Sequence, residues 1–415
     1  MVEKTPGTRL PRRPILPPKP LAFRVSRLLL IIVVCVADLA AFLGLGNPGS
    51  AAAREPKSEP GVSYKNERVA SVPWSIHVLK IDRTRKDLTY VAAHAKGKVL
   101  GVSLIAEQAR TVPPEIGRAI AGVNGDFYER ENPTYAGDPR GLQLLNGELI
   151  SGPSTVCVWF DADDNPHLDE VKGDFKVIWP EDQKTSFGLN QQRRSNQTVL
   201  YTPTYGASTR GPRGREVILE RSGDSPWLPL QASQTYLARV REVQTNGNAR
   251  LPADVMVLAL ASEFLAGGPK VVPGVELKIL TTTTPELKGV RTAIAGGPAL
   301  IQNGKTFSAK TPGPAVSRDY SERSRYERHP RSAVGWSPTH VYLVTVDGRQ
   351  PGLSAGMTLA ELAEYMSGLG CTEAMNLDGG KSAQMWVTGQ IMNSPCQGED
   401  TVANSLLVVR KPAAR

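Results

Sequence analysis

From Ser71 almost to the C-terminus, short runs of β-branched and apolar residues alternate with Gly, Pro and Asn turns. Runs such as Leu88–Ala93, Thr155–Phe160, Phe175–Trp179, Thr198–Tyr201, Glu216–Leu219, Tyr236–Val240 and Val255–Leu260 have the length and composition of strands. Only two stretches have helical spacing, Ser103–Arg110 and Thr358–Ser367. In the second, Leu359, Leu362, Ala363, Met366 and Leu369 fall on one face, Thr358 and Glu361 have the spacing of a capping box, and Gly368 and Gly370 end it. The pattern predicts a sheet-dominated α+β fold with mixed strands, in one catalytic domain over residues 71–412.

This helix separates two apolar runs that both end on Asp-Gly: Val341–Val346 before Asp347-Gly348-Arg349, and Ala374–Leu377 before Asp378-Gly379-Gly380-Lys381-Ser382. Strand, helix, strand predicts a C-terminal βαβ unit with neighbouring parallel strands. Both aspartates then open on one sheet edge, with their carboxylates roughly 5–10 Å apart. Carboxylates at that separation suit acid/base work on a glycosyl bond. Taken singly, each Asp-Gly reads as an ordinary turn.

Residues 1–27 are basic and Pro-rich, 28–46 are mostly apolar, and 47–70 read as a polar linker. The first 53 residues carry seven Lys or Arg against two acidic residues, so about half of the net charge of +9 lies there. That placement is a membrane-targeting signature rather than a nucleic-acid surface. The apolar run is either a transmembrane anchor or the core of a cleavable secretory signal. Asp38 inside it weakens a permanent span, and Ala51-Ala52-Ala53 offers a cleavage site. Both readings put the remainder outside the cytoplasm. There, Cys371 and Cys396 are expected to pair across a short loop, leaving Cys157 buried and free.

Asp161-Ala162-Asp163-Asp164-Asn165 begins like a calcium loop. Pro166 and Lys172 occupy the positions that need glycine and glutamate, so an acidic hairpin turn is the better reading. There is no zinc-type Cys/His spacing, no phosphate loop and no nucleophile elbow; neither metal nor cofactor is expected. Asn124-Gly125-Asp126-Phe127-Tyr128 reads equally as a hairpin turn or as an amide and a third carboxylate beside an aromatic platform. Arg331 precedes a strand of small residues that should draw it inward, where its planar fork suits phosphate.

Together these segments resemble the phosphodiester glycosidase family. The resemblance rests on Asn124–Tyr128, Gly296-Gly297-Pro298, His329–Gly335, Val346–Arg349, Asn376–Ser382 and Val402–Leu406, in that order. Gly188-Leu189-Asn190 and Thr202–Gly206 fit its middle section. It implies hydrolysis of a sugar-1-phosphodiester in a phosphorylated glycan or sugar-phosphate polymer. Asp126, Asp347, Asp378 and Arg331 would be catalytic. Asn124, Arg349, Gly379, Gly380, Lys381, Ser382 and Asn404 would bind substrate. Which aspartate is nucleophile, base or orienting group stays open. Lys381 stands where the family often has a third glycine, which adds a cation. Two other readings remain: a non-catalytic binder of anionic cell-surface polysaccharide, and a metal-dependent phosphodiesterase, which the 5 histidines make less apt.

Overall fold

The computed structural model describes residues 56–413, apart from 155, 263–268, 270 and 308–321. The basic head and the apolar run at 28–46 lie outside the described residues. Among those described, no helix is long and apolar enough to cross a membrane.

Two sheets pack face to face around the residues of interest. The first has seven strands in the order Val62–Val69, Trp74–Asp82, His340–Val346, Arg331–Trp336, Glu373–Asn376, Ala299–Gln302, Lys305–Thr306, every neighbour antiparallel. The second has five: Gln390–Ile391, Met385–Val387, Arg118–Asn124, Asn404–Arg410 and Leu88–His94. Leu343, Val334 and Met375 from the first meet Ile120, Val123 and Leu406 from the second in one apolar layer.

A helix closes each outer face. Leu359–Gly368 covers the seven-stranded sheet through Leu359, Leu362, Ala363 and Met366, all fully buried. Burying each of its Leu and Met side chains contributes about 1.5–3 kcal/mol. Its capping box forms as the sequence predicts: Glu361 N donates to Thr358 Oγ1 at 3.1 Å and Thr358 N to Glu361 Oε2 at 2.9 Å. The Ile105–Arg110 helix covers the five-stranded sheet, packing Ile105 and Ala109 against Val91, Leu407 and Val409.

The middle of the chain builds a third sheet of five strands and a fourth of eight. A shared apolar cluster joins them, with Leu144, Cys157 and Ala293 against Val177, Val217 and Leu258. One pair in the larger sheet, Gly188–Leu189 with Val199–Tyr201, is parallel, so the strands are mixed. The Asp161–Asn165 turn joins Val156–Phe160 to Pro166–Glu170 as the acidic hairpin expected.

Three expectations need correction. The strands before Asp347 and Asp378 are not neighbours: Arg331–Trp336 lies between them, antiparallel to both. They still run parallel to each other, so both aspartates emerge on one edge, about two strand spacings or roughly 10 Å apart at the backbone. A helical crossover fixes relative direction, but nothing local says that an earlier strand fills the gap. Second, Val62–Val69 is an edge strand, not linker. Its polar alternation is that of a strand with a wet face. Third, Cys371 and Cys396 are both free; Cys371 packs in the apolar layer under the Leu359–Gly368 helix.

Candidate functional site

Three of the motifs meet where the two sheets touch. Arg118–Asn124 ends on buried Asn124, which makes no hairpin. Its Oδ1 accepts from Ser332 Oγ at 2.6 Å and Gln384 N at 3.1 Å, and its Nδ2 donates to Asp378 O at 2.6 Å. Asp378 N donates to Gly125 O at 2.9 Å, and Gly125 N to Asn404 O at 3.0 Å. Backbones approach so closely that only glycine fits. A Cβ on Gly125 would lie 2.2 Å from Asn404 Oδ1, and one on Gly379 2.6 Å from Pro330 O.

Two carboxyl groups share this junction. Asp126 is 2% exposed. It accepts from Phe127 N at 2.8 Å, Gly141 N at 2.9 Å and Gln143 Nε2 at 3.3 Å. Burial outweighs these donors and pushes its pKa up to about 7, with the Asp378 charge adding to the rise. Asp378 is partly exposed at its outer edge and accepts from Gly379 N at 2.8 Å. Burial raises its pKa too, against the opposing pull of Ser382, Arg130 and Lys381. Asn404 Oδ1 accepts from Asp126 N at 2.6 Å, while its buried Nδ2 has no partner among the described residues.

A cationic rim borders Asp378. Arg130 donates to the Tyr128 hydroxyl, lies 4.7 Å over that ring and sits 3.4 Å from Asp400. Lys381 Nζ is 3.7 Å from the same Asp400 oxygen. On the other side Arg349, exposed, reaches His329 Nδ1 at 3.2 Å and lies over Gly380. Ser382 is buried beside the Asp378 carboxyl.

Asp347 and Arg331 are each taken up by partners of their own. Asp347 accepts from Ser75 Oγ at 2.8 Å, His77 Nε2 at 2.9 Å, Ser394 N at 2.8 Å and Asn393 Nδ2 at 3.2 Å. Four donors fill a carboxylate. The Tyr64 hydroxyl, 2.8 Å from His77 Nδ1, turns Nε2 toward Asp347. Neighbouring residues of a strand point to opposite faces. Ser332 therefore meets Asn124 while Arg331 points toward the helix side. Its Nε donates to Met357 O at 2.9 Å, and its Nη2 to Ser324 O at 2.6 Å and Glu327 O at 3.1 Å. It is drawn inward as expected, but it ties down main chain and does not face the carboxyl pair.

Arg331→Ala is therefore expected to cost about 2–4 kcal/mol of stability by removing a buried side chain whose hydrogen bonds tie the main chain of Ser324, Glu327 and Met357 together. Denaturant titration reads the loss, and an unchanged midpoint would contradict this role.

The structure thus gathers Asn124, Asp126, Asp378, Gly379, Gly380, Lys381, Ser382 and Asn404, with Arg349 at the edge. Arg130, Asp400, Gln143 and His77 escaped the sequence reading. Arg130 had one available cue, its place four residues after Asp126 in the same loop. Among the described residues no group of three or more His, Cys, Asp or Glu is arranged to hold a metal ion.

Fold and cluster define a sheet-dominated α+β domain with a carboxyl-centred site where two of its sheets meet. Residues 247–409 match the family model of phosphodiester glycosidases, which bears out the resemblance carried by the motifs over that segment. A solved structure of a hypothetical protein from Synechocystis superposes with a TM-score of 0.66 at 20% identity, covering 84% of this chain and 62% of the other. One from Burkholderia pseudomallei K96243 gives 0.59 at 21% identity, covering 81% and 74%. These likenesses show the fold alone. An uncharacterized SPbeta prophage-derived protein, YomE, of Bacillus subtilis (strain 168) is 30% identical over 126 residues, 30% of this chain and 18% of that protein. The chain thus spans less than two thirds of the Synechocystis and Bacillus relatives.

Proposed function

We propose that the protein hydrolyses the glycosyl bond of a sugar-1-phosphodiester in a glycan or cell-surface polymer. One observation carries the reading: two carboxyl groups of raised pKa sit together where the family-matched segment meets Asn124–Tyr128, under a rim of arginine and lysine. Asp378, the more exposed, is the group that meets the anomeric carbon or its attacking water. Asp126 is closed off by three donors, and its main-chain N–H holds the Asn404 side chain in place.

Arg130 and Lys381 face the leaving phosphate. Asp400 balances them in the free protein, and a substrate phosphate replaces it as their partner. Charge grows on the bridging oxygen as the C–O bond breaks, so fixed cations there act most in the transition state. The basic head and apolar run support placing this reaction outside the cytoplasm, on an anchored or a secreted chain.

Incubation with a sugar-1-(methyl phosphate) should release free sugar and methyl phosphate. Release of sugar-1-phosphate would favour cleavage at phosphorus. Asp378 acts ionised, and burial raises its pKa above the ordinary 3.8, so activity should be lost on acidification sooner than for an ordinary aspartate. A pH profile of kcat/KM whose acid limb lies below about pH 4 would contradict this.

A further inference from the structure

The buried imidazole of His94 has no part in the reaction above. His94 ends the Leu88–His94 strand, and Gln143 opens the Gln143–Leu145 strand of the third sheet; both side chains are fully buried. Gln143 links His94 to the carboxyl pair. Its Nε2 donates to Asp126 Oδ2 at 3.3 Å, and its Oε1 lies 3.3 Å from His94 Nε2. The other ring nitrogen, Nδ1, is buried with no hydrogen-bond partner among the described residues.

These contacts allow one pattern of protons. An amide oxygen only accepts, so His94 Nε2 carries the hydrogen. An unpaired buried N–H is costly, so Nδ1 is bare and the ring is neutral. Burial, which pushes the His94 pKa down to about 4, acts in the same sense. Were the amide turned over, its oxygen would face Asp126 Oδ2, and two acceptors meet only when the carboxyl is protonated. Its Nε2 would then need a bare His94 Nε2. That moves the ring proton to Nδ1, where nothing among the described residues accepts it. His94 therefore blocks the reversed amide.

Other groups also act on the Asp126 charge. Phe127 N and Gly141 N donate to it and favour ionisation. Burial and the Asp378 carboxyl oppose ionisation. The Cys157 thiol lies near enough to feel the charge, and burial keeps that thiol neutral. Of the three donors to Asp126, the two main-chain N–H groups cannot change direction. The Gln143 amide can.

We propose that His94 is a positioning residue for Asp126: by donating from Nε2 to Gln143 it fixes the amide with its N–H toward the carboxyl, which favours the ionised form. Its bearing on turnover rests on the glycosidase reading, through the place of Asp126 beside Asp378.

Carbon-13 NMR of the full chain, labelled at aspartate Cγ, reads the titration, with the Asp126 signal assigned by its loss in Asp126→Asn. His94→Leu should move the midpoint up by about one pH unit, the scale of one lost hydrogen bond to a charged group. His94→Gln, which keeps an N–H donor near the Nε2 position, should stay within about half a unit of the original. Gln143→Leu should raise the midpoint at least as far as His94→Leu does. Adding His94→Leu to Gln143→Leu should then raise it no further, because His94 acts through Gln143. An unchanged midpoint in His94→Leu, or a further rise of about one unit in the double variant, would overturn the proposal.

Nitrogen-15 NMR of the unaltered, histidine-labelled chain tests the same arrangement without relying on a variant that must fold. With its signal assigned by loss in His94→Gln, His94 should be neutral near neutral pH and protonated at Nε2. A proton on Nδ1 would overturn the proposal by itself. All of these readings are taken without substrate. Absence of phosphodiester cleavage would therefore sink the glycosidase reading and leave the His94–Gln143–Asp126 arrangement standing.

Discussion

Asp378→Asn is expected to lower kcat by about 10³-fold with little loss of stability, the scale of removing a positioned acid/base group. Among the described residues the carboxyl accepts a main-chain bond from Gly379 N, and an asparagine oxygen can accept the same bond. What disappears is the negative charge that the proposed reaction sets at the anomeric centre. KM should change much less, since Arg130, Lys381 and Arg349 still meet the ground-state phosphate. Steady-state kinetics alongside thermal unfolding separates the two effects. A variant within tenfold of the original kcat would remove Asp378 from the chemistry.

The second large effect is on folding. Asp347→Ala should destabilise the protein by about 3–5 kcal/mol, because it strips the acceptor from His77, Ser75, Asn393 and Ser394 in a buried setting. His77→Ala removes one donor and leaves the other three, so it should cost less. Denaturant unfolding of both variants gives the comparison. If Asp347→Ala kept its midpoint but lost activity, Asp347 would belong with the reacting groups and not with the scaffold.

The contrast between these two aspartates shows what the chain makes legible. Strand ends, the Asp-Gly turns and the capped helix between them follow from local pattern, and the structure reproduces them. Asn124, Asp378 and Asn404 could be named because their motifs lie at strand ends, where backbone must cross between sheets. Strand order is a matter of long-range pairing, so the insertion of Arg331–Trp336 between the two Asp-bearing strands left no local trace. That insertion also decides which way Arg331 points: once Ser332 faces Asn124, Arg331 must face the helix. His77 sits 270 residues from Asp347 in sequence, and no spacing rule links them. The edge strand Val62–Val69 hid because its alternation is polar on the exposed side, which in isolation resembles linker.

The position of the broken bond tests the account most directly. Hydrolysis of a sugar-1-phosphodiester in ¹⁸O-labelled water, stopped early and read by mass spectrometry, should leave the phosphate monoester unlabelled and place the label at the sugar's anomeric oxygen. Label in the phosphate product would mean attack at phosphorus, and would contradict the assignment of Asp378 and its cationic rim to cleavage of a glycosyl bond.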